Sequence, residues 1–114
     1  MQILNADRAV IEPPKLRDYL QLSATHPVGR FKAAFFLTLG YSAAAWARLE
    51  VDLRSQHLPR DAVAAASTPY GQKYVIRATL IGPTGRSARV SSVWVVRVGE
   101  DFARFVTVYP EVGV

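Results

Sequence analysis

The segment from His26 to Lys32 reads His-Pro-Val-Gly-Arg-Phe-Lys and combines side chains that suit phosphate chemistry. Pro27 fits the first position of a helix, where free backbone N–H groups and the positive end of the helix dipole attract anions. Gly29 leaves room for a phosphate to approach, and Arg30 and Lys32 add two full charges. The spacing differs from that of a Walker loop. The alternative interpretation is that His26 caps the helix and that both cations are ordinary solvated residues.

A second set of polar residues alternates with apolar ones along the predicted strands of the C-terminal half. Cations interleaved with hydroxyl groups on a sheet suit a nucleic-acid surface. The solvent-exposed face of an antiparallel sheet also needs polar residues, so both interpretations stay open. The set comprises Arg77, Thr79, Arg89, Ser91, Arg97, Thr107 and Tyr109.

The remaining reactive residue types indicate structural roles. His57 lies near the end of a predicted helix, where a cation is favoured by the helix dipole. Trp46 and Trp94 fall on the apolar faces of their elements, which predicts core positions. The chain has no cysteine, two histidines and nine carboxylates, and this composition predicts neither a metal site nor a cofactor. The carboxylates show no paired arrangement that would indicate an acid–base dyad.

Charge favours a polyanionic partner. Lys and Arg total 14 against 9 Asp and Glu, which gives a net charge of +5 and excludes an acidic DNA mimic. Only three of these cations are lysine, and the others are arginine. The planar guanidinium group of arginine binds phosphate well, although a high arginine content can also reflect genome composition. The absence of cysteine makes a reducing cytoplasm the default expectation, and no segment predicts a membrane span or a signal peptide.

The 114 residues predict one domain, 1–114, with a helical half followed by a strand half. The first predicted helix is Lys15 to Leu22, and the second begins at Pro27 and ends at Gly40. Ser42 is the expected N-cap of the third. The apolar stripes of the second and third helices are Phe31, Ala34, Phe35, Thr38 and Leu39, then Trp46, Leu49 and Leu53. The pairs Arg48–Asp52 and Glu50–Arg54 are expected on the solvated face.

The strand half predicts an antiparallel meander. Gln56 to Pro69 is expected to form a loop with room for one helical turn, and the period then changes to two residues. The predicted strands are Gln72 to Ile81, Arg86 to Val98 and Arg104 to Tyr109, in which Phe105 shares a face with Thr107 and Tyr109. The fold class is therefore α+β, with two or three N-terminal helices packed on one face of an antiparallel three- to four-stranded sheet.

Blocks in both halves resemble a family of small bacterial domains with no assigned function. The layout in turn resembles the barnase–EndoU–colicin–RelE superfamily of metal-independent ribonucleases, which place helices before an antiparallel sheet and often act as bacterial toxins. The block with His-Pro, Gly and Lys at a helix start is similar to blocks of related phage-borne and polymorphic-toxin nucleases. The blocks that carry the family resemblance are 15–20, 26–36, 39–41, 70–74, 82–86, 93–94 and 104–110.

This resemblance implies a metal-independent endoribonuclease, the toxin of a toxin–antitoxin or phage-defence pair. The 2′-hydroxyl of RNA attacks the adjacent phosphate and gives a cyclic phosphate and a free 5′-hydroxyl. His26 is the expected acid or base. The residues expected to share a cleft with it are Arg30, Lys32 and Arg86, which stabilise the phosphorane, and Thr107 and Tyr109, which orient the phosphate.

The implied partners are RNA and a small acidic antitoxin or immunity protein. The alternative is a non-catalytic module on the same scaffold, either an immunity or antitoxin protein or a nucleic-acid-binding domain. In that module Arg77, Arg89 and Arg97 would contact a ligand without any need for the histidine.

Overall fold

A computed structural model describes residues 1–3, 5–12 and 35–111 of the chain. Its centre is a four-stranded antiparallel sheet in the order β1-β2-β3-β4. The strands are β1 Val63–Thr68, β2 Gly71–Ile81, β3 Ser87–Arg97 and β4 Ala103–Pro110. The predicted meander of the last three strands is confirmed.

Strand β1 lies in the stretch that the sequence predicted to be a loop, so that prediction is wrong. Residues 63–67 are all exposed, because β1 is an edge strand that pairs only with β2. The strand therefore shows no alternation of apolar and polar residues, and its run of alanines carries no β signal. The isolated parallel bridge Val10↔Arg104 covers part of the opposite edge, at β4.

The described helical elements precede the sheet. Residues 35–38 are helical, and Gly40, at φ 100°, ends this segment as predicted. The Ser42 hydroxyl accepts a hydrogen bond from the Ala45 N–H and caps the 3₁₀ turn Ala43–Ala45. Helix α1, Trp46–Asp52, follows and continues as a π-helical segment, Leu53–His57. The predicted helix from Lys15 to Leu22 lies outside the described residues.

The core lies between these helical elements and one face of the sheet. Leu49 and Leu53 of the third predicted stripe are completely buried. In the second stripe, Leu39 is buried and Phe35 is half-buried, but Thr38 is exposed and Phe36 takes the buried position instead. The sheet contributes mainly Ile76, Leu80, Val90, Trp94, Phe105 and Val108.

A bulge in β4 determines which of its side chains face the core. The pairing of β3 with β4 shifts between Val93↔Thr107 and Trp94↔Phe105. Phe105 and Val108 are therefore both buried, whereas strict alternation would place them on opposite faces. The prediction that Phe105 shares a face with Thr107 and Tyr109 is wrong for this reason.

The turn between β2 and β3 packs tightly against the end of helical residues 35–38. The Leu39 carbonyl accepts a hydrogen bond from the Thr84 hydroxyl, at 3.1 Å. A Cβ atom on Gly82 would lie 2.0 Å from the same carbonyl oxygen, so only glycine fits. This contact fixes the helical half against one end of the sheet. Among the described helices, none has the length and apolar character needed to cross a membrane.

Candidate nucleic-acid interface

The face of the sheet that points away from the core carries the predicted polar set. Cross-strand partners share a face of the sheet, with Cβ atoms about 4.5–5.5 Å apart. The register aligns Arg77 with Ser91 and Ser91 with Tyr109, and it aligns Thr79 with Arg89. Val93 is aligned with Thr107, and Arg97 lies on the same side of β3 as Ser91 and Val93. We call this surface the outer face.

Three arginines surround a shallow cavity of about 270 Å³ at one end of the outer face. Arg60, Arg77 and Arg89 line it together with Thr79 and Asp61. Asp61 is exposed and lies 3.5 Å from the N-terminal amine, and Arg89 binds Glu111 at 2.9 Å. Arg77 has no ion pair with any residue that the structure describes. This end of the outer face therefore offers positive charge to an anion.

The middle of the outer face is less charged. Val75, Val93 and Thr107 are half-buried and lie in one cross-strand row, and Ser91 exposes only 1% of its surface. Cations return at the opposite end, where Arg97 lies eight residues beyond Arg89 on β3. That separation corresponds to about 27 Å along the strand. The outer face is thus a basic surface with a central row of small apolar and hydroxylic side chains.

The structure places the predicted catalytic residues in different regions. Thr107 and Tyr109 lie on the outer face, but Arg86 is exposed in the turn between β2 and β3. Arg86 precedes Ser91, the partner of Tyr109, by five residues, or about 17 Å of strand. Thr107 and Tyr109 are therefore brought together, and Arg86 is not beside them. His26, Arg30 and Lys32 lie outside the described residues, so the shared cleft stays a prediction.

His57 lies in the core and takes no part in this surface. Its Nδ1 atom lies 2.8 Å from the Ser92 hydroxyl, which also accepts a hydrogen bond from the Trp94 indole at 2.9 Å. All three side chains are completely buried. Burial lowers the pKa of His57 from 6.5 to about 4, with smaller contributions from the charges of Arg60 and Arg89. The burial of His57 agrees with its predicted structural role, but the imidazole is neutral at pH 7 and does not act as a cation at the helix end.

Asp52 is a second polar residue that the sequence placed wrongly. It exposes only 4% of its surface and accepts a 2.6 Å hydrogen bond from the Tyr41 hydroxyl. Arg48 binds the same carboxylate at 3.1 Å, so the predicted pair forms over a buried acceptor and not on the solvated face. Burial and the Asp52 hydrogen bond raise the pKa of the Tyr41 phenol. Both groups serve the packing of α1 against residues 39–41.

Sequence reasoning missed three residues of the basic surface. Arg60 precedes β1 and was assigned to a loop, Tyr70 lies in the turn between β1 and β2, and Lys73 lies near the start of β2. The period-two alternation of β2 places Lys73 on the same face as Arg77, whereas Arg60 and Tyr70 lie outside the strands and show no such pattern. Within the described part of the chain, no group of three His, Asp or Glu side chains is arranged to hold a metal ion.

A family model matches almost the whole chain. The profile described as "Domain of unknown function (DUF6883)" matches residues 2–112, nearly the full length of the chain. No curated protein and no solved structure matches the sequence. The predicted resemblance to a family with no assigned function is therefore confirmed, and the resemblance to the ribonuclease superfamily stays a prediction.

Proposed function

Since the chain belongs to this family, whose description gives no activity, we propose its function from the outer face: the domain binds RNA there and cleaves it without a metal. The observation that carries the proposal is the strand register, which gathers Arg77, Arg89, Arg97, Thr107 and Tyr109 on one face. Phosphate groups pair with arginine forks, and hydroxyl groups add hydrogen bonds to phosphate and ribose.

The charge distribution favours a polyanion over a neutral ligand. Arg60, Arg77 and Arg89 line the cavity together with one carboxylate, Asp61, and Arg89 also pairs with Glu111. The whole chain carries a net charge of +5. A surface of this kind binds nucleic acid mainly through its phosphates, and counterion release makes the affinity strongly dependent on salt.

For the cleavage step we propose His26 as the proton donor or acceptor. The chain has two histidines, and the burial of His57 removes it from contact with a substrate, which leaves His26. The ribose 2′-hydroxyl loses its proton and attacks the adjacent phosphorus, and the 5′-oxygen leaves with a proton. Arg30 and Lys32 stabilise the charged phosphorane, and Thr107 and Tyr109 orient the phosphate.

Binding is tested by fluorescence anisotropy with a labelled single-stranded 12-mer of 2′-O-methyl RNA, which cannot undergo 2′-hydroxyl attack. We expect the affinity to fall steeply between 50 and 200 mM salt, as counterion release requires. Arg77→Ala should weaken binding and reduce the slope of log affinity against log salt by about 0.7, the value for one phosphate contact on a single strand. Arg8→Ala is the matched control, because Arg8 is exposed and its charge is already paired with Asp101.

Absence of binding by the wild-type protein at 50 mM salt would refute the proposal. Equal losses in Arg77→Ala and Arg8→Ala would show that net charge, and not the outer face, governs binding.

Cleavage is tested on unmodified RNA in the presence of EDTA, with analysis of product ends. We expect 2′,3′-cyclic phosphate ends from the wild-type protein and a rate about 10²- to 10⁴-fold lower for His26→Ala, the usual contribution of a general acid or base. Arg8→Ala should retain the full rate.

Binding without cleavage would favour the alternative function, a non-catalytic nucleic-acid-binding, antitoxin or immunity module. The neighbouring gene is a further discriminator, since a small acidic protein encoded there would favour a toxin.

A further inference from the structure

A groove of about 620 Å³ lies at the end of the outer face opposite the arginine cavity. It is formed by the turn between β1 and β2 and by the end of β3. Its lining combines one aromatic ring, two cations and apolar side chains. The residues of this groove that the argument uses are Thr68, Tyr70, Lys73, Val95, Arg97 and Val98.

The aromatic ring of the groove is presented to solvent on a fixed backbone. Tyr70 exposes 81% of its surface. Its N–H donates to the Thr68 hydroxyl at 3.2 Å, and its carbonyl accepts from the Val98 N–H at 2.9 Å. At the next residue, a Cβ on Gly71 would lie 2.1 Å from the Val96 carbonyl oxygen, so the turn lies directly against β3. The backbone of Tyr70 is therefore fixed at the mouth of the groove, although the exposed ring contributes nothing to the core.

The two cations of the groove are available to an anion. Neither Lys73 nor Arg97 forms an ion pair within the part of the chain that the structure describes. Arg104, on the same face, differs, because Glu100 binds it at 2.8 Å and Glu12 lies 3.7 Å from it. Arg97 helps to lower the pKa of Glu100, but that carboxylate is already held by Arg104. Among the described residues, no carboxylate lines the groove.

An exposed ring between unpaired cations matches the way proteins bind unpaired nucleotides. A base stacks on the aromatic face, and flanking Lys or Arg side chains contact the phosphates on either side. A duplex offers no free base face within its length, so such a groove favours a single strand. We propose that this groove binds one unpaired base of single-stranded RNA, stacked on Tyr70, with Lys73 and Arg97 on the adjacent phosphates. The inference rests on the proposed RNA-binding function and specifies its substrate as single-stranded.

The position of the groove agrees with a strand that follows the outer face. The arginine cavity and the groove lie at opposite ends of the same surface, with Val75, Val93 and Thr107 between them. A phosphate at Arg77 and a base at Tyr70 would thus belong to one continuous ligand. The groove then sets the preference for unpaired RNA, while the arginines supply most of the charge.

The test compares wild-type protein with Tyr70→Ala and Tyr70→Phe on three labelled probes. These are a single-stranded 12-mer of 2′-O-methyl adenosine, an abasic 12-mer with the same phosphates, and a 12-base-pair RNA duplex. We expect Tyr70→Ala to lose about 5- to 150-fold in affinity for the adenosine strand, the range for one base stacked on an aromatic ring. Tyr70→Phe should retain the affinity, since it keeps the ring. Affinities for the abasic strand and the duplex should be the same in all three proteins.

The outcomes separate this inference from the proposed function. If the wild-type protein binds the adenosine strand and Tyr70→Ala binds it equally well, the stacking site is refuted and the RNA-binding face stands. If Tyr70→Ala loses affinity equally for the abasic strand, the role of Tyr70 is not stacking, and the inference fails. If the wild-type protein binds no probe at 50 mM salt, both fail together. A change from dimer to monomer in Tyr70→Ala, measured by sedimentation, would instead assign the ring to self-association and also overturn the inference.

Discussion

The buried histidine makes a quantitative prediction about stability in acid. The unfolded chain binds a proton at His57 with the ordinary pKa of 6.5, whereas the folded protein binds it with a pKa of about 4. Between these values the unfolded state holds more protons, so the free energy of unfolding must fall as the pH is lowered. The stability is complete above pH 6.5 and is lost progressively as the pH falls towards 4. From these two pKa values we calculate a loss of about 2 kcal/mol between pH 7.5 and 5, and about 3 kcal/mol in full.

Urea denaturation at a series of pH values from 7.5 to 5 measures this loss. The range lies above the ordinary pKa of aspartate and glutamate, so protonation of carboxylates adds little within it. The other histidine provides a matched control: His26→Ala should keep the decrease of about 2 kcal/mol, whereas His57→Gln should be less stable at pH 7.5 and lose the decrease. Should His57→Gln fail to fold, the imidazole proton resonances of His26→Ala report the pKa of His57 directly. A measured pKa above 6, or the same pH dependence in both variants, would refute the reasoning.

Two substitutions test the packing of the helical half. Gly82→Ala should cost about 3 kcal/mol of unfolding free energy, the upper end of the range for overpacking, because its Cβ would lie 2.0 Å from the Leu39 carbonyl oxygen. Gly85→Ala should cost less, about 1–2 kcal/mol, since it meets no atom within 4 Å and only its positive φ is unfavourable. Phe36→Ala should cost about 3–5 kcal/mol and Phe35→Ala clearly less, because Phe36 is completely buried and Phe35 is half-buried. Thermal or urea denaturation measures all four, and a reversed order within either pair would contradict the assigned packing.

Strands β2 and β3 could be predicted because buried apolar residues alternate with more polar ones along them. Ile76, Leu80 and Trp94 are buried at even positions, while Arg77 and Arg89 are exposed at odd ones, so the sequence alternates with period two. Strand β1 lacks this contrast, since both of its faces are exposed over residues 63–67. Its place in the sheet depends on pairing with β2, which no local pattern of residues reports.

The polar residues of the core show a second limit of sequence reasoning. Asp52 was expected on the solvated face of its helix because charged residues are rarely buried. His57 was expected at a helix end, where the helix dipole favours a cation. Their burial depends on partners far along the chain, Ser92 for His57 and Tyr41 for Asp52. One signal was present in the sequence: Ser92 occupies an even position of β3, among apolar residues of the core face. A hydroxyl at such a position indicates a buried polar partner, although it does not identify which one.

The contrast between the two faces of the sheet is the strongest argument that the outer face has a ligand. On the core side, the buried side chains of Ser92 and Asp52 and the Nδ1 atom of His57 have hydrogen-bond partners within the protein, whereas the buried Nε2 atom of His57 has none among the described residues. On the outer face, neither Arg77 nor Lys73 forms an ion pair with the described residues. Exposed cations of one sign repel each other and add nothing to the core, so fold stability does not explain their arrangement. A bound polyanion would supply the missing partners, which is why the salt dependence of RNA binding is the decisive measurement for this surface.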